Sequence, residues 1–179
     1  MPPSPRTRRI APALFLTCTL LVAGTACGGD TQNALTASPS TSAEAQKFAK
    51  TRFVTNAGLA TGAAYQWIVK PYRAGKFKKG ADGQKFALVK AGLAGTFAYN
   101  RLKAAVNNAK GDELLSKALV PVEAGIESLK GLGTKFRKGE AGDADVGAIE
   151  NVINEVKGAG RSAGAEVTDK VPSVSQLAG

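Results

Sequence analysis

Residues 112–129 read DELLSKALVPVEAGIESL and carry the clearest periodic pattern in the chain. Large apolar residues recur in it at steps of three and four: Leu115, Leu119, Val122, Ile126 and Leu129. This spacing places them on one face of an α-helix. Asp112 precedes the pattern and is expected to cap the helix. Pro121 lies within it, so we expect a kink or a break there.

Three other segments also show helical periodicity. The first is expected from about Ala43 to Lys70, with a capping-box pattern at Thr41 and Glu44 and an end at Pro71. Its apolar positions are Ala49, Phe53, Ala57, Ala60, Ala64 and Ile68. The second is expected over residues 84–110, with the apolar positions Phe86, Val89, Leu93, Phe97, Leu102 and Val106. The fourth begins at Asp143, with Val146, Ile149, Ile153 and Val156 inward.

Glycine-rich breaks separate these helices. Residues 71–83 and 131–142 are interpreted as loops, and the end of the fourth helix is open because glycines follow it, so it either stops near residue 158 or continues through Val167. The sequence therefore predicts an all-α antiparallel bundle of about four helices over residues 42–170, followed by a frayed tail over 171–179. Six residues should be buried in it: Leu115, Leu119, Ile126, Leu129, Ile149 and Ile153.

The start of the chain has the features of an export signal. Residues 6–29 read RTRRIAPALFLTCTLLVAGTACGG, with a basic start, an apolar core and small residues before Cys27. The apolar core is too short for a good transmembrane helix. Residues 24–27 resemble the lipobox of bacterial lipoproteins, with Gly24 where leucine is commonest. The glycine- and alanine-rich composition is similar to that of lipoproteins from high-GC Gram-positive bacteria.

This resemblance implies where the protein resides. Residues 1–26 would be a signal peptide, and a lipid on Cys27 would anchor the protein to the outer face of the cytoplasmic membrane. Residues 27–41 would form a flexible tether with a reach of roughly 20 Å. The alternative is an ordinary signal peptide with Cys27 incidental, which would give a secreted protein. The sequence of the mature domain shows no resemblance to a characterised family.

The composition excludes several kinds of chemistry. The chain contains no histidine, which removes imidazole metal ligands and histidine-dependent acid–base or nucleophilic catalysis. No Walker loop is present, because Phe77 follows the pair at Gly75 and Lys76 where serine or threonine is required. Glu123 and Glu127 are interpreted as a solvated acidic face. We therefore expect no catalytic residues, no metal and no cofactor.

A short motif recurs 34 residues apart, as AGLA at residues 57–60 and again at 91–94. A tetratricopeptide array is excluded, because one period here spans only one long helix and a loop. Small residues at a helix crossing would explain the motif, since Gly58 and Gly62 have the spacing that lets two backbones approach. Duplication and chance similarity remain alternatives.

The charge of the chain is strongly asymmetric. Residues 47–110 contain thirteen Lys or Arg and one acid, whereas residues 111–179 contain eight Lys or Arg and eleven acids. One interpretation is attraction between the two halves. The other is an anionic partner, such as anionic lipid, a wall polymer or an acidic protein. Nucleic acid would suit the charge but not the predicted compartment.

The strongest candidate for a binding surface is the basic segment after the first helix. Its cations are Lys70, Arg73, Lys76, Lys78 and Lys79, interleaved with aromatic residues. Candidate ligand-contacting aromatics are Tyr65, Trp67, Tyr72 and Tyr99, unless they only flank the core. The sequence thus favours a lipid-anchored, non-enzymatic binding or structural protein of the cell envelope. The alternative is a small-molecule carrier or an enzyme with a site between the helices.

Overall fold

In the computed structural model, the residues described are 42–178, and within them the chain forms helices and no strand. Helix α1, Ser42–Ala64, continues through a π-helical turn, Tyr65–Val69, into a final α-helical turn, Lys70–Arg73. Helices α2, Gln84–Ala109, and α3, Glu113–Ser128, follow. Then come α4, Leu132–Lys138, α5, Asp143–Ser162, and the short α6, Val174–Leu177. The prediction of an all-α bundle is confirmed.

The core is built from two kinds of helix surface. Helices α3 and α5 contribute large apolar residues, and all six residues predicted to be buried are buried there or next to them. Helices α1 and α2 pack against each other mainly through alanine. The face predicted from periodicity for the first helix is buried as expected, and its largest residues are Phe53 in α1 and Ile68 in the π-helical turn. Small side chains allow the two long helices to approach closely.

The apolar face predicted for α2 is wrong in its first half. Phe86 is 63% exposed and Val89 is 47% exposed. The residues that α2 buries are mostly small: Ala91, Gly92, Ala94, Gly95, Ala98, Leu102, Ala105 and Ala109. The prediction failed because it relied on side-chain size. A helix face of alanine and glycine is buried when a neighbouring segment packs close to its backbone, without large side chains.

Neither proline ends its helix. The first helix passes Pro71 and ends at Arg73, and the π-helical turn lies directly before the proline, at Tyr65–Val69. Such a turn changes the register of the hydrogen-bond ladder next to a residue that has no N–H to donate. A kink or a break was expected at Pro121, and the break is absent, since α3 is continuous across it. Pro121 is exposed, so water can hydrate the carbonyl left without a helical partner.

The segment predicted as a loop over residues 131–142 contains α4. Gly131 and Gly139 flank this helix in the left-handed conformation, with φ of 85° and 73°. Between them, Leu132 and Phe136 lie one turn apart, and both are buried. Phe136 is fully buried and is one of the largest core residues. The helix therefore belongs to the core.

The C-terminal segment is packed against the bundle as far as residue 178, so the prediction of a frayed tail is wrong there. Of the two ends left open for the fourth helix, near residue 158 or through Val167, neither is observed. Helix α5 ends at Ser162, and residues 165–173 run without helical structure to α6. Val167, Pro172 and Leu177 are buried along this path. The tail is stabilised by main-chain contacts with α1 that apolar periodicity does not report.

The recurring AGLA motif supports close approach at two different places. Gly58 and Gly62 face the backbone of Thr168 and Lys170, whereas Gly92 and Gly95 face Gly133 of α4. The glycines of α1 therefore pack against the C-terminal segment, and those of α2 pack against α4. The small-residue interpretation is supported, but the close partner of each helix is a later segment of the sequence.

The predicted signal peptide, lipidation at Cys27, tether and Thr41 cap lie outside the described residues. None of the helices between residues 42 and 178 has both the length and the hydropathy that a membrane span requires.

Candidate functional site: a basic, aromatic-lined groove

The five predicted cations lie at one end of the bundle. Lys70 and Arg73 are on the last turn that follows α1, and Lys76, Lys78 and Lys79 are in the turns that lead to α2. All five are exposed. We refer to this end, residues 70–90, as the basic end.

Phe77 holds the turns of the basic end against the bundle. Its ring makes edge contacts with Tyr72 and Phe136, with centroids 5.9 and 5.8 Å apart. Its carbonyl accepts a hydrogen bond of 3.1 Å from the side-chain amide of Gln84. Gly75 and Gly80 have φ of 70° and 83°, a conformation that glycine adopts without strain. The lysines are therefore displayed on turns with a defined anchor.

Arg73 differs from the four lysines of the predicted set. Its guanidinium forms an ion pair of 2.7 Å with Glu150 on α5. Within residues 42–178, no carboxylate lies at ion-pair distance from the other four, Lys70, Lys76, Lys78 and Lys79. Arg73 is thus used within the fold, and the lysines supply the uncompensated charge.

A groove runs along the basic end between the end of the first helix and the start of α2. Its volume is about 370 Å³, which falls within the range of small-ligand sites. Trp67 and Phe86 supply its aromatic walls, and Lys70, Lys76 and Lys90 supply its cations. Gln66, Asp82 and several small residues complete the lining.

Lys90 is positioned by the two aromatic rings. Its ammonium lies 5.1 Å from the centroid of Trp67 and 4.1 Å from that of Phe86, which are cation–π distances. The indole N–H of Trp67 donates a hydrogen bond of 3.1 Å to the carbonyl of Pro172. The C-terminal segment therefore fixes the orientation of the indole, and the indole helps to fix the ammonium.

The structure brings together residues that the sequence placed in separate arguments. Trp67 was predicted as a candidate ligand contact, and Lys70 and Lys76 as part of a charged surface. Phe86 and Lys90 were missed as site residues, because Phe86 was assigned to the core. The available signal was their spacing of four residues at the start of α2, which places an aromatic ring and a cation on one face.

The predicted tyrosines are structural rather than part of the groove. The hydroxyl of Tyr72 donates to Asp143 at 2.6 Å, and this hydrogen bond raises the pKa of Tyr72. The hydroxyl of Tyr99 donates to Glu127 at 3.0 Å, and partial burial together with this bond raises the pKa of Tyr99. Tyr65 is exposed and is not among the residues that line the groove.

Ion pairs within the fold explain part of the charge asymmetry. Three ion pairs join the basic half to the acidic half: Lys50 with Asp112, Arg73 with Glu150, and Lys103 with Glu127. The hydrogen bond from Lys103, followed by that from Tyr99, lowers the pKa of Glu127. Intramolecular attraction accounts for these cations. It does not account for the lysines of the basic end.

The interior between α1, α2 and α5 is filled. The space there has a volume of about 10 Å³, no more than one water requires, and its lining is almost wholly apolar. Among residues 42–178, no group of three acidic or cysteine side chains is placed to hold a metal ion.

The groove can perform two kinds of recognition. Its ammonium groups can bind an anion, and its aromatic faces can pack against the apolar face of a ring or a short carbon chain. Its polar side chains, Gln66 and Asp82, can form hydrogen bonds with hydroxyl groups.

Compared with known proteins, the chain matches no protein-family model, no curated protein and no solved structure.

Proposed function

We propose that this chain is a lipid-anchored, non-enzymatic binding protein of the cell envelope that attaches to anionic envelope components through its basic end. The observation that carries the proposal is the group of four exposed lysines that have no ion-pair partner among residues 42–178: Lys70, Lys76, Lys78 and Lys79. Exposed, uncompensated cations attract an anionic surface at little desolvation cost.

The packing of the bundle favours this function over a carrier or an enzyme with a site between the helices. A carrier needs a concave interior, whereas the space between α1, α2 and α5 is an apolar void of about 10 Å³. The groove lined by aromatic rings and lysines lies on the outer surface, at the basic end. This arrangement suits the binding of an external partner.

The proposed anchor depends on Cys27. Cys27→Ser should release the protein into the medium or leave it unprocessed, because serine offers no sulfur for acylation. Fractionation of cells and mass spectrometry of the mature N-terminus would measure this. A soluble, unmodified mature protein that begins at Cys27 would contradict the anchor while leaving the basic end to be tested separately.

Charge reversal tests the basic end directly. A chain that begins at Gly28 retains every residue of the described core and lacks the anchor. Its binding to vesicles rich in phosphatidylglycerol, or to an anionic wall polymer, would be measured by co-sedimentation at two salt concentrations. Each lysine contributes about 1 kcal/mol near an anionic surface, so the triple reversal of Lys76, Lys78 and Lys79 to Glu should weaken binding at least about a hundredfold.

The matched control reverses three exposed lysines outside the basic end: Lys47, Lys110 and Lys130. Both triple variants have the same net charge. If the two lose binding equally, net charge alone attracts the partner and the basic end has no special role. If neither loses binding at low salt, the proposed function is wrong.

A further inference from the structure

We infer that the groove at the basic end binds a phosphodiester-linked chain of polyols or sugars. This inference rests on the proposed function and names the class of its ligand. It differs from general attraction to negative charge, because it requires the aromatic walls of the groove as well as its lysines.

The cations of the groove suit the phosphate groups of such a chain. Lys70, Lys76 and Lys90 line a space of about 370 Å³, and none of the three forms an ion pair within the described part of the chain. Lys90 is held over two rings rather than by a carboxylate. Its charge is therefore in place to bind phosphate oxygens without first breaking a salt bridge.

The other groups of the groove suit the carbon skeleton and the hydroxyls. Phe86 is 63% exposed and Trp67 is partly exposed, so both can pack against the C–H face of a sugar or polyol. Gln66 and Asp82 lie in the same lining. Neither the side-chain amide of Gln66 nor the carboxylate of Asp82 has a hydrogen-bond partner among residues 42–178. Both can bind hydroxyl groups, which a simple polyanion lacks.

The same features disfavour a phospholipid bilayer as the occupant. The site is a concave groove, which fits a single polymer chain better than the broad surface of a bilayer. It also lies at the opposite end of the first helix from Ser42. The helical path from Ser42 to Arg73 contains 32 residues and is therefore roughly 48 Å long. A domain attached through Ser42 can direct the groove away from its membrane.

Trp67 provides a direct readout, since it is the only tryptophan in the chain. The chain that begins at Gly28 would be titrated with poly(glycerol phosphate), and its emission and its quenching by acrylamide recorded. We expect an emission shift and protection from acrylamide. Inorganic polyphosphate of matched charge should bind at least about fivefold more weakly, because it offers no hydroxyl or C–H groups. Equal affinities would overturn the inference.

Two further arms complete the test. Vesicles rich in phosphatidylglycerol should protect Trp67 less than the polymer does at equal phosphate concentration, and stronger protection by vesicles would overturn the inference in favour of membrane docking. Phe86→Ala should weaken polymer binding about five- to tenfold. The matched control, Val89→Ala, removes an exposed apolar residue of the same helix that does not line the groove, and it should leave binding unchanged.

The two proposals fail in distinguishable ways. If Phe86→Ala has no effect while reversal of Lys76, Lys78 and Lys79 abolishes binding, the proposed function stands and the groove inference is wrong. If the reversal also has no effect, both are wrong. Circular dichroism of each variant would establish that the helical fold is retained.

Discussion

The amide of Lys170 donates a hydrogen bond of 2.8 Å to the carbonyl of Gly58, so the C-terminal segment lies directly against the backbone of α1. A Cβ built on Gly58 would lie 2.4 Å from the carbonyl oxygen of Thr168, and one on Gly62 would lie 2.2 Å from that of Lys170. Only glycine leaves enough room at these two positions. The two glycines of α1 therefore have a packing reason that outweighs their low helix propensity.

The first prediction concerns Gly62. Gly62→Ala should destabilise the protein by about 1–3 kcal/mol, because the new methyl group meets backbone atoms that cannot move away as a side chain can. The measurement is urea unfolding followed by circular dichroism.

Gly147 is the matched control for this prediction. It lies within α5, where an added Cβ meets nothing within 4 Å. Gly147→Ala should therefore stabilise the protein by up to about 1 kcal/mol through helix propensity alone. If both substitutions stabilise the protein, the close approach at Gly62 does not constrain the fold.

The second prediction concerns Phe136. This side chain is fully buried and contacts the ring of Phe77, so Phe136→Ala should cost about 3–5 kcal/mol. Phe86→Ala removes the same side chain from an exposed position and should change the free energy of unfolding by less than about 0.5 kcal/mol. Thermal or urea unfolding of the two variants would measure the difference. A small loss at Phe136 would contradict the assignment of α4 to the core.

The elements that were predictable from the sequence are those whose burial depends on large side chains. Leu119, Ile126 and Ile149 occur at helical spacing, and bulk and burial coincide in α3 and α5. In α2, large side chains and buried positions do not coincide. The helix packs closely through Ala94, Gly95 and other small residues, so a prediction from the large apolar residues selects the wrong face.

The parts that were missed depend on contacts between distant residues. Helix α4 is too short to show a full periodic pattern, and its stability comes from Phe136 meeting Phe77, 59 residues earlier in the chain. The tail is held by the bond from Trp67 to Pro172, which spans 105 residues. No local pattern reports such pairings. The same is true of the groove, whose lysines are visible in the sequence but whose concave shape is not.

The third prediction concerns acid stability. Asp145 accepts hydrogen bonds from Lys135 at 2.9 Å and from the amide of Gly142 at 3.1 Å. The bond from Lys135 is the main cause that lowers the pKa of Asp145 below its ordinary value. Because the folded-state pKa is lowered, the ionised carboxylate stabilises the folded state above the ordinary pKa. This contribution is lost as the pH falls through the lowered folded-state value.

Asp145→Asn should accordingly make stability less dependent on pH in the acid range, from about pH 5 downward. It should also destabilise the protein slightly at pH 7, by about 0.3–1 kcal/mol, through loss of the negative charge at the start of α5. Urea unfolding at a series of pH values would measure both effects. An unchanged acid dependence would show that Asp145 contributes no stabilising ionisation.

The last prediction separates two roles of Asp112, which caps α3. One carboxylate oxygen accepts a hydrogen bond of 2.9 Å from the amide of Leu115, and the other lies 3.6 Å from the ammonium of Lys50 on α1. Asp112→Ala removes both interactions and should cost about 0.5–2 kcal/mol. Asp112→Asn retains the cap acceptor and loses the charge. Because Lys50 can turn its ammonium to water, the cap should dominate, and the asparagine variant should retain most of the stability in urea unfolding. Equal losses in the two variants would instead assign the stability to the link between α1 and α3, and Lys50→Met would then show a similar loss.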